Sequence, residues 1–94
     1  MRIGVLTLQL SLPVCHSLKE KRSVLKPILH RLHREFNISV SEIDQQDVWK
    51  NAVIGISMAC NESVLIQQSF AQIIQFIETH YPNVDIIKNE IEII

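Results

Sequence analysis

The sequence predicts one α+β domain whose elements follow in the order β-α-β-β-α-β. Three observations support this prediction: a length of 94 residues, two long stretches with apolar residues at helical spacing, and four shorter stretches rich in β-branched and apolar residues. Hydrophobic residues make up 47% of the chain and Gly and Pro are few, a balance typical of a globular domain and not of a disordered segment. We therefore expect a single domain over residues 1–94.

Four segments are predicted strands, namely residues 2–12, 37–43, 49–59 and 84–94. Every second residue in the central part of the first segment is a leucine, at positions Leu6, Leu8, Leu10 and Leu12. This period of two is that of a strand with one buried face. The polar residues 44–47 join the second strand to the third, so we expect these two strands to form a hairpin.

Two segments are predicted helices, residues 17–36 and 62–80. Ser17 and Glu20 have the spacing of a capping box at the start of the first helix, and Asn61 is a favourable N-cap for the second. Pro27 removes a backbone hydrogen bond inside the first helix. Because the apolar stripe continues in phase beyond this proline, we expect a bend there and one continuous helix.

Each predicted helix is apolar along one side only, so we expect both helices to cover the same face of the sheet. Right-handed split crossovers then favour a ferredoxin-like plait, with a four-stranded antiparallel sheet in the order 4-1-3-2 and two helices on one face. The residues expected to be most buried are Leu8, Leu10, Leu25, Leu29, Ile56, Phe70 and Ile73.

Positive charge is concentrated in the first predicted helix. The chain has a net charge of −1, but residues 16–34 contain six basic residues and one acidic residue, which leaves the remainder at −6. Basic side chains in a sector beside the apolar stripe could follow a phosphate backbone, and the amides at the helix start could hold an anion for which Glu20 competes. The alternative is a solvated helix face. The candidate RNA- or anion-binding residues are Lys19, Lys21, Arg22, Lys26, His30 and His33.

The predicted hairpin contains three carboxylates and the single tryptophan of the chain. Glu42, Asp44 and Asp47 could act in acid–base chemistry, but ion pairs of the two aspartates with the cations of the first helix are the simpler expectation. Trp49 could stack on a base or anchor the hairpin against the end of the sheet. We favour anchoring, because aromatic residues make up only 5% of the chain and do not alternate with basic ones.

No motif in the sequence predicts catalysis, a metal site or a cofactor. Cys15 and His16 are adjacent, so they are not expected to face each other as nucleophile and base. His30 and His33 have a metal-ligand spacing, but no further ligands accompany them. We expect Cys15 and Cys60 at opposite ends of the sheet, too far apart for a disulfide. The chain has no apparent signal peptide or membrane-spanning run, which predicts a cytoplasmic protein without membrane contact.

The face of the sheet without helices is expected to expose an apolar patch. Its members are Ile3, Val5, Val53 and Ile87, joined by Ile91 or Ile93 according to the register of the last strand. A contiguous patch of this kind is unusual on a monomer. The sequence therefore predicts a homodimer, through this face or through the edge of the last strand.

Three stretches resemble one known family: S-L-K-E-K-R-S-V-L-K-P at 17–27, F-N-I-S-V-S-E-I-D at 36–44 and Q-D-V-W at 46–49. They are similar to the YlxP-like family of small bacterial proteins of unknown function. The resemblance implies a ferredoxin-like fold and provides no catalytic residues. Genes of the family often lie near those for transcription elongation, translation initiation and ribosome-binding factors, which implies a role around RNA or the ribosome.

We therefore expect a non-enzymatic accessory domain that binds RNA or a ribonucleoprotein, such as the ribosome, through the basic side of the first helix. The alternative is a homodimeric protein-interaction module without nucleic-acid contact. The two differ in salt dependence, because phosphate contacts weaken steeply with salt and an apolar interface does not.

Overall fold

The computed structural model describes residues 1–94 and contains six elements of regular structure. They are β1 (Arg2–Ser11), α1 (Leu18–Glu35), β2 (Ser39–Asp44), β3 (Asn51–Cys60), α2 (Ser63–His80) and β4 (Asp85–Ile93). The strands form one antiparallel sheet in the order β2-β3-β1-β4. This architecture confirms the predicted ferredoxin-like plait, and every element begins and ends within two residues of its predicted bounds.

The hydrophobic core lies between one face of the sheet and both helices. On that face, Leu6 of β1 lies opposite Ile56 of β3, and Leu8 lies opposite Ile54. The helices contribute Leu25, Ile28 and Leu32 from α1 and Ile66, Phe70, Ile73 and Ile77 from α2. Of the seven residues expected to be most buried, all but Leu29 are buried. Leu29 is half-buried because it lines an open depression beside α1.

The two helices approach the sheet at different distances. A Cβ atom at Gly4 would collide with Cγ2 of Ile66 and lie 3.0 Å from the ring of Phe70, so α2 packs directly on β1. α1 lies on the side of β2, and open depressions remain between it and that strand.

The helix N-termini confirm the Ser17 half of the predicted capping box and correct the cap predicted for α2. The Ser17 hydroxyl accepts a hydrogen bond of 3.1 Å from the Glu20 amide, as the sequence predicted. The N-cap of α2 is Glu62 and not Asn61, and its side chain makes no capping hydrogen bond. α2 forms without this bond because burial of its apolar stripe supplies most of a helix's stability. α1 continues through Pro27 as one helix.

The register of β4 corrects the expected composition of the helix-free face. Leu6 pairs with Ile91 and Gly4 pairs with Ile93, so both isoleucines belong to the helix-covered face. The helix-free face of β4 instead presents Lys88, Glu90 and Glu92, which pair with the helix-free positions of β1. A row of charged side chains therefore occupies the strand that was expected to extend the apolar patch.

The four residues predicted for a dimer interface do not form one patch. Ile3 and Val5 lie near the start of β1, whereas Val53 lies near the start of β3 and thus at the other end of the antiparallel pair. Ile87 is unpaired at a bulge in β4. The helix-free face therefore offers scattered apolar contacts, and the homodimer stays a prediction.

Two further features concern the chain as a whole. Cys60 pairs with Arg2 at the start of β1, whereas Cys15 follows the end of β1, so the two thiols lie at opposite ends of the sheet. Neither helix combines the length and the apolar character needed to cross a membrane.

Candidate nucleic-acid interface

Five of the six candidate binding residues lie on the exposed side of α1. They are Lys19, Arg22, Lys26, His30 and His33. The lysines and the arginine of this set make no ion pair with any carboxylate of the chain. Their charge therefore remains available to an anionic ligand.

An open depression lies beside this side of α1, where the helix passes over β2. We call it the basic depression, and it is lined by Lys26, Pro27, Leu29, His30, His33, Arg34 and Val40. Its volume is about 970 Å³. Leu29 and Val40 are half-buried and form the floor, whereas the charged and histidine side chains are exposed at the rim. A cationic rim around an apolar floor suits a ligand that has both phosphates and flat apolar groups.

Arg34 is the rim residue that the sequence left out of the candidate set. It lies on α1 at the edge of the basic sector, and its single ion pair, with the adjacent Glu35, is long at 3.9 Å. Arg34 lines the basic depression together with Val40 of β2, so its place in the site depends on where β2 lies against the helix.

Lys21 does not belong to the exposed set, which corrects the prediction. Only 2% of its surface is exposed. Its Nζ donates hydrogen bonds to the backbone oxygens of Gln45 and Val48, both at 2.7 Å, and forms an ion pair with Oε2 of Glu42 at 2.7 Å. The two carbonyls accept hydrogen bonds from the ammonium group, and the carboxylate of Glu42 compensates its charge. Lys21 therefore attaches the β2–β3 hairpin to α1 and is not available to an anion.

The position of Lys21 along the helix explains its burial. It falls in phase with the buried stripe of α1, which continues as Leu25, Ile28 and Leu32. This signal is present in the sequence. The ion-pair partner of Lys21 is less evident from the sequence. Glu42 lies opposite Ile54 of β3 in the sheet and so belongs to the helix-covered face of β2. The ion pairs expected of Asp44 and Asp47 are absent, because the buried lysine pairs with Glu42 instead.

The hairpin turn itself is held by local hydrogen bonds. Gln45 has a φ of 58°, its amide donates to Oδ1 of Asp44 at 2.8 Å, and its carbonyl accepts from the Val48 amide at 3.0 Å. Trp49 is 44% exposed, so its anchoring role stays a prediction. The hydrogen bonds of Lys21 attach the hairpin to α1.

The start of α1 is less favourable to an anion than the sequence indicated. The amide of Glu20 is already bonded to Ser17, and the Glu20 carboxylate adds negative charge to the first turn. A second depression of about 430 Å³ beside this part of the helix includes the carboxylates of Glu42 and Asp47. The basic depression, by contrast, has no carboxylate among its lining residues.

The remaining reactive side chains do not form a metal-binding group. No three His, Cys, Asp or Glu side chains lie close enough together to hold a metal ion. Burial raises the pKa of the Cys15 thiol, and the negative charge of Glu20 adds to the rise. Cys15 is therefore a protonated, buried thiol at neutral pH, and a thiol in that state is a weak nucleophile.

The family of this chain follows from its similarity to known proteins. A family described as "Protein of unknown function (DUF503)" matches residues 3–91. The chain belongs to the DUF503 family. It is also 39% identical over 69 residues to "Uncharacterized protein YlxP" of Bacillus subtilis (strain 168), a match that covers 73% of this chain and 74% of that protein. The predicted resemblance to YlxP-like proteins is confirmed.

A solved structure shares the fold of this DUF503 chain. The "De novo designed protein Foldit4" matches with a TM-score of 0.55 at 16% identity, over 100% of this chain and 97% of the designed one. At this identity the likeness shows the fold alone. Since DUF503 is a family of unknown function, the function of the chain has to be argued from its surfaces.

Proposed function

We propose that this DUF503 protein is a non-enzymatic cytoplasmic accessory domain that binds RNA or a ribonucleoprotein, such as the ribosome, through the basic side of α1. The basic depression is the observation that supports the proposal. Lys26 and Arg34 at its rim could hold phosphates, and Leu29 and Val40 at its floor could contact a base or a ribose. A strand of RNA combines these two kinds of group at the spacing of one nucleotide.

The proposed mode of binding depends on phosphate contacts and has little sequence preference. Phosphate contacts position a protein on a nucleic acid but do not distinguish bases. The helix-free face of the sheet lacks the stacking aromatics of RNA-recognition motifs, and its central positions are Thr7, Gln9, Val53, Gly55 and Ser57. We therefore expect binding that weakens steeply as the salt concentration rises.

The test is a triple substitution of exposed cations, Lys19→Gln, Arg22→Gln and Lys26→Gln. The change takes the net charge of the chain from −1 to −4. Affinity for a labelled single-stranded RNA oligonucleotide, and co-sedimentation with purified ribosomes, should fall sharply. The slope of log affinity against log salt should decrease by about 2, since each lost contact with single-stranded RNA removes about 0.7.

A matched control places the same charge change on the other helix. Gln68→Glu, Gln72→Glu and Gln75→Glu alter three exposed residues of α2 and also give a net charge of −4. This variant should retain RNA affinity if α1 is the binding side. Equal loss in both variants would mean that only the overall charge matters, and unchanged binding by the α1 variant, with its circular dichroism intact, would reject the proposal.

A homodimeric protein-interaction module without nucleic-acid contact is the second candidate function. Two exposed isoleucines on the edge strand β4, Ile87 and Ile91, favour it. Apolar side chains on an unpaired strand edge are typical of a surface that pairs with another chain.

A further inference from the structure

We propose that the free edge of β4 pairs with β4 of a second copy of this chain, in antiparallel orientation about a two-fold axis at Asn89. The inference specifies the interface of the second candidate function and so rests on that candidate. It does not depend on RNA binding. The resulting dimer would contain one continuous eight-stranded sheet.

The exposed edge of β4 has the features of a pairing surface. β4 is nine residues long and has a strand neighbour, β1, on one side only. Ile87 is 54% exposed and Ile91 is 46% exposed. An edge strand of this length presents a row of backbone groups without partners, and such a row readily accepts another strand.

The side chains of β4 are complementary to themselves. Residues 87–91 have the sequence Ile-Lys-Asn-Glu-Ile, which is symmetric about Asn89 in the alternation of apolar and charged residues. Antiparallel pairing centred on Asn89 places Lys88 opposite Glu90 of the second copy, a contact made twice. It also brings Ile87, at the bulge of β4, to the level of Ile91 of the second copy. Cross-strand pairs of opposite charge and of β-branched residues both stabilise a sheet.

A two-fold axis at a residue next to Asn89 would bring like charges opposite each other. An axis at Lys88 places two lysines opposite each other, and an axis at Glu90 does the same with two glutamates. An axis at Ile91 places Glu90 opposite Glu92 twice. Like charges directly opposite each other destabilise a sheet. Among residues 88–91 of the strand, Asn89 alone gives a register without repulsion.

The backbone hydrogen bonds of β4 agree with the same axis. Ile3 and Ile94 exchange both backbone hydrogen bonds, at 3.1 and 2.8 Å. Bonded and non-bonded pairs alternate along an antiparallel ladder. Counted from this bonded pair, Asn89 and Ile91 belong to non-bonded pairs with β1, so their backbone N–H and C=O groups point away from β1. A strand centred on Asn89 can therefore exchange two hydrogen bonds at the axis itself, because both copies direct the groups of Asn89 outward.

Charged residues on an edge strand usually prevent pairing with another strand. On β4 their pattern is complementary to that of a second copy. A lysine on an edge strand opposes an incoming strand that cannot neutralise it. Lys88 now lies 3.0 Å from Glu90 of its own strand, and both side chains are 64% exposed. In the dimer each lysine would lie between two glutamates, one from each copy, so the charge pattern accepts a second copy and rejects most other strands.

The dimer would leave the basic side of α1 free. α1 lies on the side of β2, which is the opposite edge of the sheet from β4. With strands about 4.8 Å apart, the two β2 strands of the eight-stranded sheet would be separated by about 34 Å. Each dimer would therefore present two separate copies of the basic depression.

The first test measures mass against protein concentration by light scattering and sedimentation equilibrium. The wild-type chain should approach twice its monomer mass of 10.8 kDa as its concentration rises. Lys88→Glu should raise the dissociation constant by about tenfold or more, because two attractive pairs become repulsive. The double variant Lys88→Glu with Glu90→Lys restores opposite charges in the same register and should restore the dimer.

A second test reports the position of the axis directly. Residues in a bonded antiparallel pair have Cα atoms about 5.5 Å apart, within the range of a disulfide. Asn89→Cys should therefore form a covalent dimer on mild oxidation, whereas Gln75→Cys, at an exposed position of α2, should not.

The outcomes of these tests distinguish failure of the β4 interface from failure of the homodimeric candidate function. A wild-type chain that stays monomeric at millimolar concentration would overturn both. A wild-type dimer that Lys88→Glu leaves intact, or that the double variant fails to restore, would retain the dimer and overturn the β4 register. Loss of RNA binding in the α1 variant would have no effect on either result.

Discussion

α1 and α2 are both 18 residues long and cover the same face of the same sheet, yet they differ in charge and in closeness of packing. α2 lies directly on β1. Apart from the histidine at its C-terminus, its one charged residue is Glu78, and its exposed side is largely glutamine. α1 leaves two open depressions against β2 and contains six basic residues.

The difference shows which properties the fold itself requires. Both helices need an apolar stripe, and both have one. α2 demonstrates that an uncharged exposed side is sufficient to complete this fold. Lys19, Arg22 and Lys26, the exposed cations of α1 without an ion pair, are therefore not needed for packing, and this is the reason to assign them to a ligand. Lys21, which is buried, and Arg31, whose guanidinium lies over an aromatic ring of α2, do contribute to packing.

The largest effect on stability is expected at Lys21, the buried basic residue of α1. Lys21→Met retains most of the buried aliphatic stem but leaves Glu42 and two carbonyls of the hairpin without a partner. We expect a loss of about 3 kcal/mol in the free energy of unfolding, typical of a buried ion pair that loses one member. Urea unfolding followed by circular dichroism measures it.

Lys19→Met is the matched control for that experiment, because Lys19 is exposed and makes no ion pair. Its cost should be below about 0.5 kcal/mol, as for most surface substitutions. If the two variants were equally stable, Lys21 would have no anchoring role, and α1 would be held to the hairpin by apolar contacts alone.

The next effect concerns the close packing of α2. Gly4→Ala places a methyl group against Ile66 and Phe70, which are fully buried and cannot move aside without shifting the helix. We expect a loss of about 2 kcal/mol, within the range for overpacked cores, together with a lower thermal midpoint.

Gly55→Ala is the comparison for this variant. Its new methyl group would contact the exposed side chain of Ile43 at 3.0 Å on the helix-free face, where Ile43 is free to move. Neither glycine has a positive φ, so the substitution introduces no backbone strain. Gly55→Ala should be neutral or stabilising by up to about 1 kcal/mol. A neutral Gly4→Ala would show that α2 is not packed directly on β1.

The smallest effect compares the two helix starts. Ser17→Ala removes the hydrogen bond to the Glu20 amide and should cost about 1 kcal/mol, whereas Asn61→Ala should cost almost nothing, since Asn61 is not the N-cap of α2. Chemical denaturation of both variants measures the difference. Equal losses would mean that Asn61 caps α2 in solution.

The sequence was a good guide to the elements and to most of the basic side of α1. Periods of two and of 3.6 residues locate strands and helices because each depends on neighbours a few positions away. Lys19, Arg22 and Lys26 could be placed on the exposed side of α1 for the same reason. Lys21 was wrongly assigned to the binding residues, although its phase with Leu25 and Ile28 indicated burial.

Other features could be known only from the folded chain. The presence of Arg34 and Val40 in the lining of one depression depends on where β2 lies against α1. The bulge at Ile87 sets which residues of β4 face the helices, and it places Ile91 on that side and Lys88 and Glu90 on the other. A shift of one residue would exchange the two faces.

The sequence by itself therefore determined the six elements, the fold class and the positive charge of α1, because these follow from local periodicity and composition. The tertiary structure decided that Lys21 is an anchor, that Trp49 is exposed and that the helix-free face is charged along β4. Each of these depends on the pairing of segments far apart in the chain. Such pairing is selected by the packing of the whole core and not by the residues on either side of the position concerned.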